Sequence, residues 1–194
     1  MKRVALLIDG GHLRVLSKQA GHVFNPSFIE RLAHGCIAAD EELLRILYYD
    51  CAPFSGTVRL PVSGDQKLFK GDDRWLRELA ALDLFAVRLG VLKFRGFLPR
   101  QTPLNGFDLS DDDFRPTFEQ KGVDMRIGLD IATFAANRAV DRIILLSGDT
   151  DCVPAMKRAR IAGLQVVLLE LPNQRTAAEL TWHSDIHRRI TWPA

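Results

Sequence analysis

The stretch Arg142-Ile143-Ile144-Leu145-Leu146-Ser147-Gly148-Asp149-Thr150-Asp151-Cys152-Val153-Pro154 decides the fold. It opens with an apolar run of strand length, too short for a helix. It breaks at Ser147-Gly148, delivers two acids one residue apart, and reaches Pro154, a residue tolerated in the first turn of a helix. The order strand, tight turn, helix puts Asp149 and Asp151 at the carboxyl end of a strand. In open α/β sheets that edge is where ligands bind. The same design stands at the start of the chain, where Val4-Ala5-Leu6-Leu7-Ile8 runs into Asp9-Gly10-Gly11-His12. Gly10-Gly11 allows a tight turn there. The rest of the chain reads as scaffolding that brings these two acidic ends together.

Working outward, strands are expected at 3–8, 45–50, 85–94, 142–146 and 165–169. The run at 3–8 lacks polar alternation, which suggests cover on both faces. Helices are expected from near His12, over 27–39 with Pro26-Ser27 at the start, over 67–82, from Asp124 to Asn137, and from Pro154 to Ala162 with Gly163 as C-cap. A further helix is expected from Ala177 to near Ile190. Residues 52–66 carry Pro53, Gly56, Pro61 and Gly64 and read as loop. Residues 96–120 read as a long polar loop, with a turn signal at Asn105-Gly106 and the acidic run Asp111-Asp112-Asp113. Strand alternating with helix implies an α/β fold of three layers: a central, mainly parallel five-stranded sheet between helices. Residues 1–194 are expected to form a single domain with a C-terminal helical extension from about 172.

The apolar fraction of 47% over 194 residues is enough for a full core. No apolar run reaches the length of a membrane span, and Met1-Lys2-Arg3 leads into a strand. Cys36, Cys51 and Cys152 are odd in number and widely spaced, with no zinc pattern. They argue for a reducing, cytoplasmic setting. The net charge of +2 permits nucleic-acid binding without demanding it.

Five aspartates are placed to meet at one edge of the sheet: Asp9, Asp124, Asp130, Asp149 and Asp151. Crowded carboxylates must protonate or share a cation. Hard oxygen ligands of this kind suit Mg²⁺ or Mn²⁺. A cation there lowers the pKa of water and neutralises charge on a phosphodiester. No Ser, Cys or His sits in a recognisable nucleophile context, so metal-assisted hydrolysis is the natural reaction class. Aspartate at turns and helix N-caps also occurs for backbone reasons alone. Asp151 or Thr150 has that alternative as a cap, and so does Asp124. Asp130 lies six positions after Asp124, about 120° around an ideal helix, and need not share its ligand shell.

Leu7-Ile8-Asp9-Gly10, Lys121-Gly122-Val123-Asp124 with Asp130 six on, and Ser147-Gly148-Asp149-Thr150-Asp151-Cys152-Val153-Pro154, taken in order, resemble the NYN domain family, the LabA-like members of the PIN-like nuclease superfamily. The resemblance runs from residue 4 to about 170. It implies a PIN-like Rossmannoid fold and a metal-dependent ribonuclease site. On it, Asp9 is the first-strand acid, Asp149 the fourth-strand acid and Asp151 the acid that follows. Asp130 matches the helix acid, and Asp124 the acid of the Lys-Gly-Val-Asp motif. Asp9, Asp130, Asp149 and Asp151 are the expected metal ligands. His12, Lys121, Ser147 and Thr150 are the expected substrate contacts. PIN-like domains often pair, so a homodimer is part of what the resemblance implies. Two positions depart from the pattern. His12 stands where the family usually has Asn, and Cys152 where it usually has an aromatic residue, packing beneath the site.

Three functions fit these residues: an endoribonuclease, a non-catalytic RNA-binding or regulatory module of the same fold, and a metal-dependent phosphohydrolase for small phosphate esters. The third is weakened because Asp9 is followed by Gly10-Gly11 and not by a second aspartate after one residue. Arg95, Arg100 and Lys121 flank the long loop and are candidates for phosphate contact. His183 and His187, spaced i, i+4 with Asp185 between, read as a helical surface pair. Lys157, Arg158 and Arg160 read as a solvated helix face, and Trp182 and Trp192 as packing residues.

Overall fold

Residues 4 to 8 are wholly buried, and alternate side chains go to opposite faces of the sheet, as a strand with a period of two requires. Val4, Leu6 and Ile8 pack into one core; Ala5 and Leu7 pack into the other. The computed structural model describes residues 1–103 and 108–193; the Asn105-Gly106 turn signal lies outside them. Among the described residues the main sheet has seven strands: β1 (Lys2–Asp9), β2 (Glu41–Cys51), β5 (Phe85–Pro99), β6 (Phe114–Lys121), β7 (Arg142–Leu146), β8 (Gln165–Glu170) and β9 (Ile186–Arg189). Their order is β6-β5-β2-β1-β7-β8-β9, and every neighbouring pair is parallel except β5 with β6. A separate antiparallel hairpin joins β3 (Gly56–Arg59) to β4 (Gln66–Phe69).

Helices α1 (Gly10–Gln19), α2 (Pro26–Gly35) and α3 (Arg74–Ala80) cover one face, through Leu13, Phe28, Leu32, Leu76 and Leu79. Helices α4 (Val123–Asn137), α5 (Val153–Ile161) and α6 (Ala178–Trp182) cover the other, through Ile127, Ile131, Met156, Ala159 and Leu180. The local signals explain the starts. Asn25 caps α2 by accepting from Phe28 N at 2.8 Å, with Pro26 as its first residue. Since β1 and β7 are adjacent and parallel, with Ile8 opposite Leu146, the acids that follow both strands emerge at one edge.

The three-layer α/β architecture is as expected, but the sheet has seven strands instead of five. Both extra strands are edges with polar sequences. β6 lies inside the stretch expected to be a loop; its Pro116 is tolerated because an edge strand leaves one side unpaired. β9 carries His187, Arg188 and Arg189, which hide it from a hydrophobicity reading. The expected helix to Ile190 stops at Trp182, and the tail closes with β9. The expected helix over 67–82 begins only at Arg74, since 66–69 pairs with 56–59. The strand expected at 45–50 extends over Glu41–Cys51, and the one at 85–94 runs on to Pro99 through an irregularity between Phe94 and Gly96. The acidic run after Ser110 is structural: Asp111 accepts from Val62 N at 2.9 Å and ties this segment to the β3–β4 turn.

At the opposite edge of the sheet sits a fully bonded ionic network. The Glu41 side chain is 0% exposed. Its Oε1 accepts from Arg142 Nη1 at 2.5 Å and Arg188 Nη2 at 2.7 Å. Its Oε2 accepts from Ala38 N at 2.7 Å and Arg188 Nη1 at 2.8 Å. Arg142 also donates to Gln165 Oε1, at 3.1 and 2.8 Å. The network therefore ties together β2, β7, β8 and β9. Among the described residues no helix is long and apolar enough to cross a membrane.

Candidate active site

The ends of β1 and β7 open into a cleft of about 740 Å³. Asp9, Asp124, Asp149 and Thr150 line it, with His12 and Gly148 on its wall. Asp9 is the last residue of β1 and the N-cap of α1: its Oδ1 accepts from His12 N at 3.0 Å. Its Oδ2 accepts from the Ser147 hydroxyl at 3.3 Å, and the same hydroxyl accepts from Asp149 N at 3.1 Å. Ser147 is completely buried, so it couples the two strand ends and is not placed to touch substrate. Asp149 caps the turn that follows, its Oδ1 accepting from Asp151 N at 2.8 Å. Cys152 is buried below, with Sγ 3.9 Å from Ser147 Oγ. Burial pushes its thiol up to about 12, as suits a packing residue.

One carboxylate oxygen each from Asp124, Asp149 and Asp151 lies within 4.8 Å of the others. Asp124 stands in the first turn of α4, which begins after Gly122. Its carboxyl is pushed above the ordinary range, first by burial and then by the charges of Asp149, Asp9 and Asp151. Like charges gathered this closely disfavour one another's ionised form, and a bound cation would relieve that repulsion. Three carboxylates at this spacing form a hard oxygen donor set that fits Mg²⁺ or Mn²⁺.

Asp9 lines the same cleft but falls outside this three-carboxylate group; one of its oxygens accepts from His12 N and the other from Ser147. Asp130 also falls outside it. Further along α4, its Oδ2 accepts from the Tyr49 hydroxyl at 2.9 Å and from Arg88 Nε at 3.3 Å. Lys121 is not among the cleft's lining residues; it pairs with Glu119, as does Arg95. Arg100 donates its Nε to Asp112 O at 2.9 Å. His183 and His187 share no helix, and Asp185 is taken by Arg160 and Val166 N.

His12 lies against Gly148, where a Cβ would come 2.5 Å from the ring; no larger residue fits there unless the imidazole moves. Its Nε2 sits 3.1 Å from Gln174 Nε2. Gln174 Oε1 accepts from Leu171 N at 3.0 Å, which fixes the amide so that Nε2 faces the ring as donor. His12 Nε2 is then the acceptor, and the imidazole is neutral with its proton on Nδ1. Burial lowers its pKa and outweighs the raising effect of Asp9 and Asp149.

Arg14, Gln120 and Gln174 were not legible as parts of this site. Gln120 lies in the stretch read as loop, and Gln174 in a tail without periodicity. Arg14 lies on α1 five residues after Asp9 and lines the cleft beside it.

Gly10 opens α1 and is not a turn residue as expected. A Cβ on it would come 2.3 Å from the Tyr48 hydroxyl and 2.7 Å from Tyr49 O. Gly10→Ala is expected to cost about 1–3 kcal/mol in urea denaturation, because a buried hydroxyl and a backbone oxygen must both move. An unchanged midpoint would show that this contact is not limiting.

The family model described as "NYN domain" matches residues 3–187. Among curated proteins, none matches this chain in sequence. A crystal structure of a protein of unknown function from Vibrio parahaemolyticus RIMD 2210633 is similar over 97% of this chain and 93% of its own, at 19% identity and a TM-score of 0.55. MurG of Acinetobacter baumannii is less similar, at 13% identity and a TM-score of 0.39 over 100% of this chain and 44% of its own.

Proposed function

This chain belongs to the NYN domain family of the PIN-like nuclease superfamily, and on that premise we propose that it is a divalent-metal-dependent ribonuclease. The observation that carries the proposal is the group formed by Asp124, Asp149 and Asp151 at the mouth of the acidic cleft. These three residues are the ones that would hold Mg²⁺ or Mn²⁺. A cation bound there supplies charge neutralisation for the phosphodiester and makes water acidic enough to attack phosphorus at neutral pH.

The protein's own residues then have distinct tasks. Asp149 is held in position by its bond to Asp151 N and by its own N–H donating to Ser147. Asp9, fixed between His12 N and Ser147, keeps a carboxylate on the cleft wall to orient the attacking water and accept its proton. His12 and Thr150 face the cleft as hydrogen-bond partners for the RNA backbone. Asp130, engaged by Tyr49 and Arg88, is left out of this assignment.

Cation binding tests the ligand assignment apart from turnover. Mn²⁺ titration followed by calorimetry is expected to show binding in the wild type and a loss of at least about tenfold in affinity for Asp124→Asn, a removed carboxylate ligand. Equal affinity in the variant would remove Asp124 from the ligand set. The same preparations, offered a chromogenic phosphate monoester and an unstructured RNA, are expected to turn over only the RNA.

A further inference from the structure

A second cavity, of about 360 Å³, adjoins the acidic cleft, and Arg14 and Gln120 line both. Its walls are Phe24, Trp75, Pro53 and Leu92. Asp50, at the end of β2, also lines it, with a side chain only 1% exposed. Asp50 Oδ1 accepts from Cys51 N at 2.7 Å; Oδ2 accepts from the Tyr48 hydroxyl at 3.2 Å and pairs with Arg14. The Arg14 guanidinium lies 5.4 Å from the Phe24 ring centroid and 5.8 Å from that of Trp75. Its side chain is 41% exposed, at the border between the two cavities. The acidic cleft is polar and carboxylate-rich, whereas this neighbour is aromatic, with a half-exposed arginine paired to a buried carboxylate. Nothing in the hydrolytic chemistry uses it.

We propose that this cavity is a nucleobase subsite, taking the base of one unpaired nucleotide next to the phosphodiester held in the acidic cleft; the proposal rests on the ribonuclease reading. Three features select a base as the occupant. Trp75 and Phe24 line the cavity with aromatic rings beside the Arg14 guanidinium, and rings and guanidinium planes both stack on bases of any sequence. The exposed Gln120 amide both donates and accepts, which suits the edge of a base, while Asp50, buried and bonded through both oxygens, holds the Arg14 guanidinium at the border of the cavity. Shared lining by Arg14 and Gln120 makes the cavities contiguous, as the short reach from a phosphate to its own base requires. A free phosphate is a poor occupant, since a buried carboxylate and apolar walls would face it. A paired and stacked base is withheld from such a pocket, so the preferred substrate is single-stranded.

The test uses the full chain, Mn²⁺ and a short unstructured RNA, with an abasic nucleotide placed in turn at each position flanking the cut. For the wild type, one flanking position is expected to show a loss of about 5- to 100-fold in kcat/KM when its base is removed. Trp75→Leu is expected to cut the intact RNA more slowly and to show no further loss with the abasic RNA. Gln120→Leu is expected to keep the abasic loss and to flatten the preference among the four bases at that position. The proposal is overturned if no position shows an abasic loss, or if a folded Trp75→Leu retains it. Should Trp75→Leu fail to fold, Gln120→Leu decides: an unchanged base preference refutes the subsite. Cleavage without any base dependence removes only this proposal. An absence of metal-dependent RNA cleavage removes the ribonuclease reading and the subsite with it.

Discussion

Asp149→Asn is expected to lower metal-dependent RNA cleavage by roughly 10³-fold while leaving the fold intact. The residue belongs to the group formed with Asp124 and Asp151, and loss of one charged ligand removes several kcal/mol of transition-state stabilisation. The variant should fold because asparagine retains an oxygen that can accept from Asp151 N, and the backbone bond from residue 149 to Ser147 is untouched. Without metal, its stability should equal or exceed that of the wild type. The negative charge on Asp149 helps to push the Asp124 carboxyl up, and removing it relieves that repulsion. Urea denaturation in chelator and a cleavage assay in Mn²⁺ on the same samples separate these effects. A variant that unfolds more readily and cuts normally would reverse both expectations.

The second large effect lies at the far edge of the sheet. Glu41→Gln is expected to destabilise the protein by about 3–5 kcal/mol at neutral pH, since Arg142 and Arg188 would lose the carboxylate that compensates them. The pH dependence follows from the same contacts. Burial alone would raise the Glu41 carboxyl, but hydrogen bonds from Arg188, Ala38 and Arg142 outweigh it and lower it from its ordinary 4.5 to about 2. A carboxyl lowered by folding contributes stability above its unfolded pKa and loses it as pH falls through the folded one. The wild-type advantage over Glu41→Gln should therefore be full above about pH 4.5 and shrink towards pH 2. Urea midpoints at pH 7, 4 and 3 would show this. A gap independent of pH would place the Glu41 contribution in packing and not in charge.

The sequence exposed the centre of the molecule and concealed its edges, for one physical reason. β1, β7 and β8 are covered on both faces, so their composition is almost wholly apolar and their ends are marked by Asp9-Gly10 and Ser147-Gly148-Asp149. β6 and β9 have one neighbouring strand each and carry charges that suit solvent, as in Arg115, Lys121 and Arg189. Periodicity reads burial, and edge strands bury little. Asp9, Asp149 and Asp151 were legible because they follow a buried strand, and Asp124 because it opens a helix; Asp130 lies inside α4 and was legible only by its spacing from Asp124. Their division of labour was not. Which carboxylates lie close enough to share a cation depends on distances across β1, β7 and α4, and these set Asp124, Asp149 and Asp151 apart from Asp9 and Asp130. The partners that occupy Asp130, Tyr49 and Arg88, lie 81 and 42 residues away in the chain, beyond any local pattern. His12 illustrates the same limit. Its place after Asp9 was evident, whereas its neutral form depends on Gln174, brought in from 162 residues away.

The most direct measurement incubates the purified protein with a mixed RNA pool in Mn²⁺, in Mg²⁺ and in chelator. Fragments that form with a divalent cation, vanish in chelator and are absent with Asp149→Asn are the result this account predicts. RNA that is bound but left whole under every cation would contradict it and identify the acidic cleft as part of a non-catalytic RNA-binding module.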